Sequence, residues 1–273
     1  MLDHNLKVYK SDKFDVENTA SLSLFIYPDC FYVFAKDQND ANLAIHHYLD
    51  FSLDQLENIL QSDPLLRQDL SVRIYNHTGS FSLVPGALYA PGQERTYLEF
   101  AGDVPEKVHF FSSPLDSNNL QILSFIPEKI KKTLDQRYGE VSYYHGATSF
   151  LSYLFKERFN LIGQEILIYY FKTHIYLAAF TDQELAIFNW FQIENLDEVL
   201  KYAFVTIEQL QYGKNHVRIS LFGATEESGI TEEWGKTYFQ NFRLLRPHAN
   251  QNYSHGFKHL KSENLFEANW QYV

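Results

Sequence analysis

One pattern of elements is written twice along this chain, and that limits the fold to an arrangement of two like halves. In the first copy Leu22, Leu24 and Ile26 alternate with Ser21, Ser23 and Phe25, the period of a strand. Pro28-Asp29 supplies a turn, and Cys30–Lys36 reads as a second strand, apolar on both faces. Asn42–Leu49 alternates as a third strand. Ser52, with Gln55 three residues on, has the form of a capping box. The helix it opens carries Leu53, Leu56, Ile59 and Leu60 on one stripe and stops before Pro64. Ser71–Tyr75 resumes as a strand.

The second copy keeps this order. Glu165–Phe171 and Ile175–Phe180 read as strands around a turn, and Glu184–Phe191 as the third. Asn195 caps a helix with Glu198 as its box partner, and Leu196, Val199, Leu200, Ala203, Phe204, Ile207 and Leu210 face inward. Gly213 stands where a left-handed C-terminal cap belongs, and His216–Phe222 is the fourth strand. Phe31-Tyr32-Val33 and Ile175-Tyr176-Leu177 are 144 residues apart, and Leu43-Ala44-Ile45 and Leu185-Ala186-Ile187 are 142 apart. Ser52 and Asn195 are separated by 143, and the two Val-Arg-Ile triplets, from Val72 and from Val217, by 145. Four matches in order at near-constant spacing mark a duplicated supersecondary unit. The spacing predicts a first lobe over residues 1–160 and a second over 161–273, the latter ending in a C-terminal tail.

Between the copies the pattern loosens. Residues 79–118 are rich in Pro and Gly and read as a loop-rich insertion. Asn119–Pro127 reads as a strand, and Pro127 starts a helix with Ile130 and Leu134 inward and Gly139 at its end. Val141–Phe150 reads as a strand leading into a helix over Phe150–Phe159.

Composition excludes several classes. Hydrophobic residues at 45% and aromatics at 16% exclude a disordered chain. A net charge of −11 repels phosphate backbones and anionic lipids, so neither a nucleic-acid nor a membrane partner is expected. The one cysteine, Cys30, permits no intrachain disulfide and is expected as a buried inert thiol. No apolar run approaches the roughly 20 residues of a membrane helix, and the expected setting is cytoplasmic.

Phe81–Tyr89, Leu123–Ile130 and Val141–Leu151, set within the duplicated strand–helix plan, resemble an uncharacterised bacterial family with the actin-like ATPase fold. That family is distantly akin to PilM and FtsA. The resemblance implies an α/β protein of tandem duplicated ribonuclease-H-like lobes flanking a nucleotide cleft; fold alone assigns no activity.

An active member of that superfamily needs an Asp-x-Gly turn in the first hairpin of each lobe. The Asp organises Mg²⁺, and the Gly lets backbone N–H groups approach the phosphates. Here the corresponding positions are Phe25 and Tyr27 in the first hairpin, and Tyr169 and Phe171 in the second. Rings neither ligate a metal nor leave room for a triphosphate, so ATP and Mg²⁺ are disfavoured as cofactors and no metal or catalytic residue is assigned. Gly223-Ala224-Thr225 resembles a vestigial adenosine-binding loop; the competing reading is a strand-to-helix turn with Thr225 as N-cap.

Ribonuclease-type chemistry needs carboxylates on central strands. Glu165, alone at a strand start, is expected to be solvated. His255 and His259, with His248 nearby, sit in a polar Asn-rich tail and read as surface histidines, while His46 and His47 point to opposite faces of their strand. These readings favour a non-catalytic actin-like scaffold with an unidentified protein partner. The alternatives are a divergent ATPase binding nucleotide through Gly223–Thr225 and a small-molecule binder using the interlobe cleft.

Overall fold

A computed structural model describes residues 5–223, 225, 228–257 and 265–272. The chain divides into two compact units, Met1–Thr148 with Gln251–His259, and Ser149–Asn250 with Leu260–Val273. The boundary expected from the repeat spacing lies further on, past the helix Ala147–Glu157. Most of that helix packs into the second unit, where the Phe150 ring meets Tyr169, Tyr176 and Phe222.

In the first unit β1 (Leu6–Lys10), β2 (Ser21–Ile26), β3 (Cys30–Lys36) and β4 (Ala41–Leu49) precede α1 (Leu56–Ser62), and β5 (Ser71–Asn76) follows it. Next come β6 (Phe81–Pro85), α2 (Glu94–Glu99), β7 (Val108–Leu115), β8 (Leu120–Pro127), α3 (Glu128–Arg137) and β9 (Glu140–His145). The main sheet runs β1-β4-β3-β2-β5-β9. Pairing is antiparallel from β1 to β2 and parallel from β2 to β9. One face is mainly aliphatic: Leu22, Leu24, Ile26, Val33, Val72 and Ile74, with the Phe31 and Tyr48 rings, pack with Leu56, Ile59 and Leu60 of α1. Each such side chain contributes about 1.5–3 kcal/mol on burial.

Ser52 receives the helix as expected, its N–H donating to Gln55 Oε1 at 2.9 Å, but it first caps a 3-10 turn over Leu53–Gln55. That turn rotates Leu53 off the buried stripe, and it is exposed. The insertion is more ordered than its Pro and Gly content suggests. β6, β8 and β7 form an antiparallel sheet, with Val84, Leu98 and Leu123 at the centre of a small core of their own. Pro85 and Pro127 close their strands and Pro114 stands one residue before the end of β7, positions where a missing N–H costs the ladder least.

After α4 (Ala147–Glu157) the second unit contains β10 (Gln164–Phe171), β11 (His174–Thr181), β12 (Glu184–Gln192), α5 (Leu196–Gln209), β13 (Arg218–Gly223), α6 (Glu232–Tyr238) and β14 (Asn241–Leu244). Its sheet runs β12-β11-β10-β13-β14. Asn195 Oδ1 accepts from the Glu198 N–H at 3.2 Å and caps α5, while Glu198 Oε2 accepts from the Glu194 N–H at 2.8 Å. Val199, Leu200, Ala203 and Ile207 pack on Ile166, Ile168, Ile175, Leu177 and Ile219. The left-handed residue after α5 is Gln211, φ 54°, not Gly213. Gly213 instead donates its N–H to Gln164 Oε1 at 2.8 Å. The last short strand, β15 (Asn252–Tyr253), belongs to the first unit and pairs there in parallel with Ala41–Asn42 of β4.

The two sheets share one plan, with β4, β3, β2, β5 and β9 matched by β12, β11, β10, β13 and β14. The Tyr27–Cys30 and Phe171–His174 turns coincide at the 144-residue spacing, placing Leu22 at Ile166. Leu22 pairs with Val72 and Ile166 with Ile219, so the two Val-Arg-Ile triplets stand two residues out of register. The Leu-Ala-Ile triplets are one residue out: Ala35 pairs with Ala44 just before a bulge, and Ala179 with Ile187 just before its counterpart. What repeats is the element order and the face pattern, while those two identical triplets are accidents of spelling.

Candidate functional site

In each unit the sheet face opposite α1 or α5 is lined with rings, and the rings reach the hairpin where phosphate chemistry would be placed. Strand alternation puts Phe25, Tyr27, Tyr32, Phe34 and Tyr75 on that face of the first unit, all buried. Phe25 stacks on Tyr75 at 4.6 Å between centroids and meets Phe34 edge-on at 5.2 Å. Tyr27 stacks on His77 at 3.8 Å, and Tyr32 on His47 at 3.9 Å. Such offset or edge contacts add about 0.5–1.5 kcal/mol each beyond area burial.

Behind His77 lies Gly146, where an added Cβ would fall 2.3 Å from the imidazole Cγ. Only glycine lets the β9–α4 connection pass that ring. His145, wholly buried beside it, holds the neutral tautomer. Its Nε2–H donates to the Thr78 carbonyl at 2.8 Å and its Nδ1 accepts from the Ala147 N–H at 3.2 Å. Burial lowers its pKa to about 4, outweighing the pull of the Thr78 carbonyl. An unfolded chain takes up this proton as pH falls below the ordinary 6.5, while the folded chain does not until about 4. Stability tied to His145 is therefore whole above pH 6.5 and falls by about 3 kcal/mol on acidification through that window. Chemical denaturation at pH 7 and pH 4.5 checks this, with His145→Gln expected to lose markedly less between the two.

In the second unit Tyr169 and Phe171 are buried at the end of β10. Tyr169 lies 5.2 Å from both Phe171 and Phe266, and its hydroxyl donates to Glu267 Oε2 at 2.7 Å. Phe171 packs on Trp190 at 5.2 Å and His174 at 5.8 Å. Burial first, and the Glu267 charge second, push the neighbouring Tyr176 phenol well above its ordinary pKa. At both hairpin ends buried rings stand where an Asp-x-Gly turn would place its Asp and Gly, Phe25 and Tyr27 in the first and Tyr169 and Phe171 in the second, with Asp29 in the first turn itself. Among the described residues no three His, Cys, Asp or Glu side chains stand together as metal ligands.

Gly223 ends β13 with φ 114°, and an added Cβ would lie 1.9 Å from the Tyr170 carbonyl oxygen. That approach requires glycine whether or not a ligand binds. Ala224 lies outside the described residues. Thr225 is buried, and its carbonyl accepts from Ser228 N–H and Oγ at 3.2 and 2.8 Å. Thr231 caps the next helix of the described residues, α6, accepting from the Trp234 N–H at 3.1 Å; Glu226 and Glu227, where the alternative reading puts a helix after Thr225, lie outside the described residues. The loop borders an open concavity of about 440 Å³ whose wall includes Thr225, Ile230, Leu244 and the carboxylates Glu232 and Glu233.

The expectation of a solvated Glu165 is overturned. It is fully buried: Arg218 donates to both its oxygens, Ser220 Oγ to Oε1 at 2.9 Å and the Ile162 N–H to Oε2 at 3.3 Å. The parallel β10–β13 register, with Glu165 beside Arg218, assembles this network. His46 and His47 do face apart. His46 Nδ1–H donates to buried Asp63 at 2.6 Å, which Tyr48 and the Leu65 N–H also hold. Burial alone would raise Asp63, but these hydrogen bonds outweigh it and hold the carboxyl below its ordinary value. His255 is exposed, as is His248, 3.5 Å from Glu157; His259 lies outside the described residues. Cys30 is half-buried at the hairpin end rather than enclosed. The sequence reading missed His77, His145 and Gly146, for which the one visible signal was a glycine directly after a strand.

Among curated proteins none matches the chain. A Bacteroides thetaiotaomicron protein with an actin-like ATPase fold and unknown function superposes with a TM-score of 0.75 at 18% identity, covering 85% of this chain and 93% of that one. A PilM–PilN type IV pilus biogenesis complex gives a TM-score of 0.62 at 11% identity, with 92% and 96% covered. The chain thus has the actin-like ATPase fold. Over residues 11–242 it matches one family model, and it belongs to that family, the protein of unknown function DUF3822.

Proposed function

We propose that this protein is a non-catalytic member of the actin-like class, a cytoplasmic scaffold or assembly partner that holds another protein instead of hydrolysing ATP. The carrying observation is the set of buried rings, Phe25, Tyr27, Tyr169 and Phe171, at both hairpin ends where metal and phosphate would require Asp and Gly. A fold retained without that chemistry is retained for its surface. The PilM–PilN complex supports the reading, being a protein assembly built on a like fold. Among the described residues no helix is long and apolar enough to cross a membrane.

A second reading rests on the concavity beside Gly223 and Thr225, open enough for a nucleoside. Glu232 and Glu233 on its wall oppose a polyphosphate there, so that reading concerns an uncharged ligand more than ATP. Affinity capture with the full chain tests the scaffold reading. One reproducible protein partner, retained after ATP is enzymatically removed, is expected. A partner lost on ATP removal contradicts it.

A further inference from the structure

The sibling halves differ at one edge. In the first unit the third strand, β4, is covered on its outer side by β1, antiparallel over Ala44–Tyr48. Beyond those residues β15 pairs with Ala41 and Asn42. In the second unit the matching strand is β12, and among the described residues β11 is the one strand that pairs with it. The bulges set the correspondence: Ala44 stands at Ile187 and Tyr48 at Phe191. The stretch that an added strand covers in one half is therefore Ile187–Phe191 in the other.

Natural sheets blunt an open edge with Lys, Pro, short length or a bulge. β12 is nine residues long, Glu-Leu-Ala-Ile-Phe-Asn-Trp-Phe-Gln, with neither Lys nor Pro. Its bulge lies at the Ala186 end and leaves Ile187–Gln192 regular. The stretch is held rigid from within: Phe191 stacks on Tyr202 at 3.8 Å, and Trp190 packs on His174 at 4.5 Å. By contrast the opposite edge of this sheet, β14, has four residues.

We propose that β12 pairs with β12 of a second copy, antiparallel across a two-fold axis centred on Asn189, joining two five-stranded sheets into one. The sequence of the edge is self-complementary in that register. Ile187 faces Phe191 of the other copy, Phe188 faces Trp190, and the exposed Asn189 amide meets its own counterpart. No ionised side chain lies from Leu185 to Ile193, while Glu184 and Glu194 of the two copies fall opposite each other and repel, so the pairing ends inside them. Antiparallel addition is also what β1 does on β4. The proposal is independent of whether the protein binds a nucleotide or another protein.

Sedimentation equilibrium of the full chain between 10 and 100 μM tests it, with about these concentrations spanning the range of a modest isologous dimer. A dimer is expected, at least tenfold weaker in Asn189→Lys, which sets two ammonium groups against each other on the axis, and unchanged in Asn189→Gln. A monomer throughout, or an Asn189→Lys dimer as tight as the parent, overturns the proposal. Should Asn189→Lys fold poorly, hydrogen exchange on the unaltered chain decides. Amide protection over Ile187–Phe191 that rises with protein concentration supports the pairing. Protection independent of concentration contradicts it, including the case in which a foreign extended peptide alone confers it.

Discussion

Phe25→Asp combined with Tyr27→Gly is expected to lose about 5 kcal/mol or more, most or all of what a domain of this kind has in reserve. The pair would write Asp-x-Gly back into the first hairpin, yet the surroundings are built for rings. Phe25 is wholly buried between Tyr75 and Phe34, and Tyr27 lies flat on His77, which in turn bears on Gly146. Removing both rings leaves a cavity, and the new carboxylate must be buried among the apolar rings that lined it. Urea denaturation followed by circular dichroism checks this. A double variant that keeps its urea midpoint unchanged would mean these rings do not carry the packing described.

The second large effect is expected at Arg218. Arg218→Ala strips the fork from a fully buried carboxylate and is expected to cost about 3–5 kcal/mol. Ser220 Oγ and the Ile162 N–H remain on Glu165, and Arg243 approaches Oε1 only to 3.5 Å. The companion Glu165→Leu/Arg218→Met, which removes both charges and keeps apolar volume, is expected to be much milder than Arg218→Ala alone. If Arg218→Ala costs less than about 1 kcal/mol, the ion pair behaves as an exposed one and the burial described is wrong.

The hairpins and both capped helices were legible because each obeys a local rule, either period-two alternation or a polar cap before an apolar stripe. β1 was not: Leu6–Lys10 carries two lysines and no buried residue, too short and too exposed for alternation to register. β6 and β7 were hidden by Pro and Gly that sit at or near strand ends, where they do little harm. The Val-Arg-Ile triplets pointed to a true duplication through a false alignment, since register is set by hairpin geometry and sheet pairing, not by letters. Glu165 was misread because its partner Arg218 is 53 residues away and arrives through a parallel strand that sequence spacing cannot reveal. The aromatic identity of Phe25, Tyr27, Tyr169 and Phe171 was readable outright. That His77 and Gly146 lock one of those rings was not, because the contact joins two strand ends distant in sequence.

Titration calorimetry of Mg·ATP into the full chain tests the central claim most directly. With rings packed at both hairpin ends, no saturable heat is expected up to about 1 mM nucleotide. Binding at micromolar affinity, dependent on Mg²⁺, would contradict it.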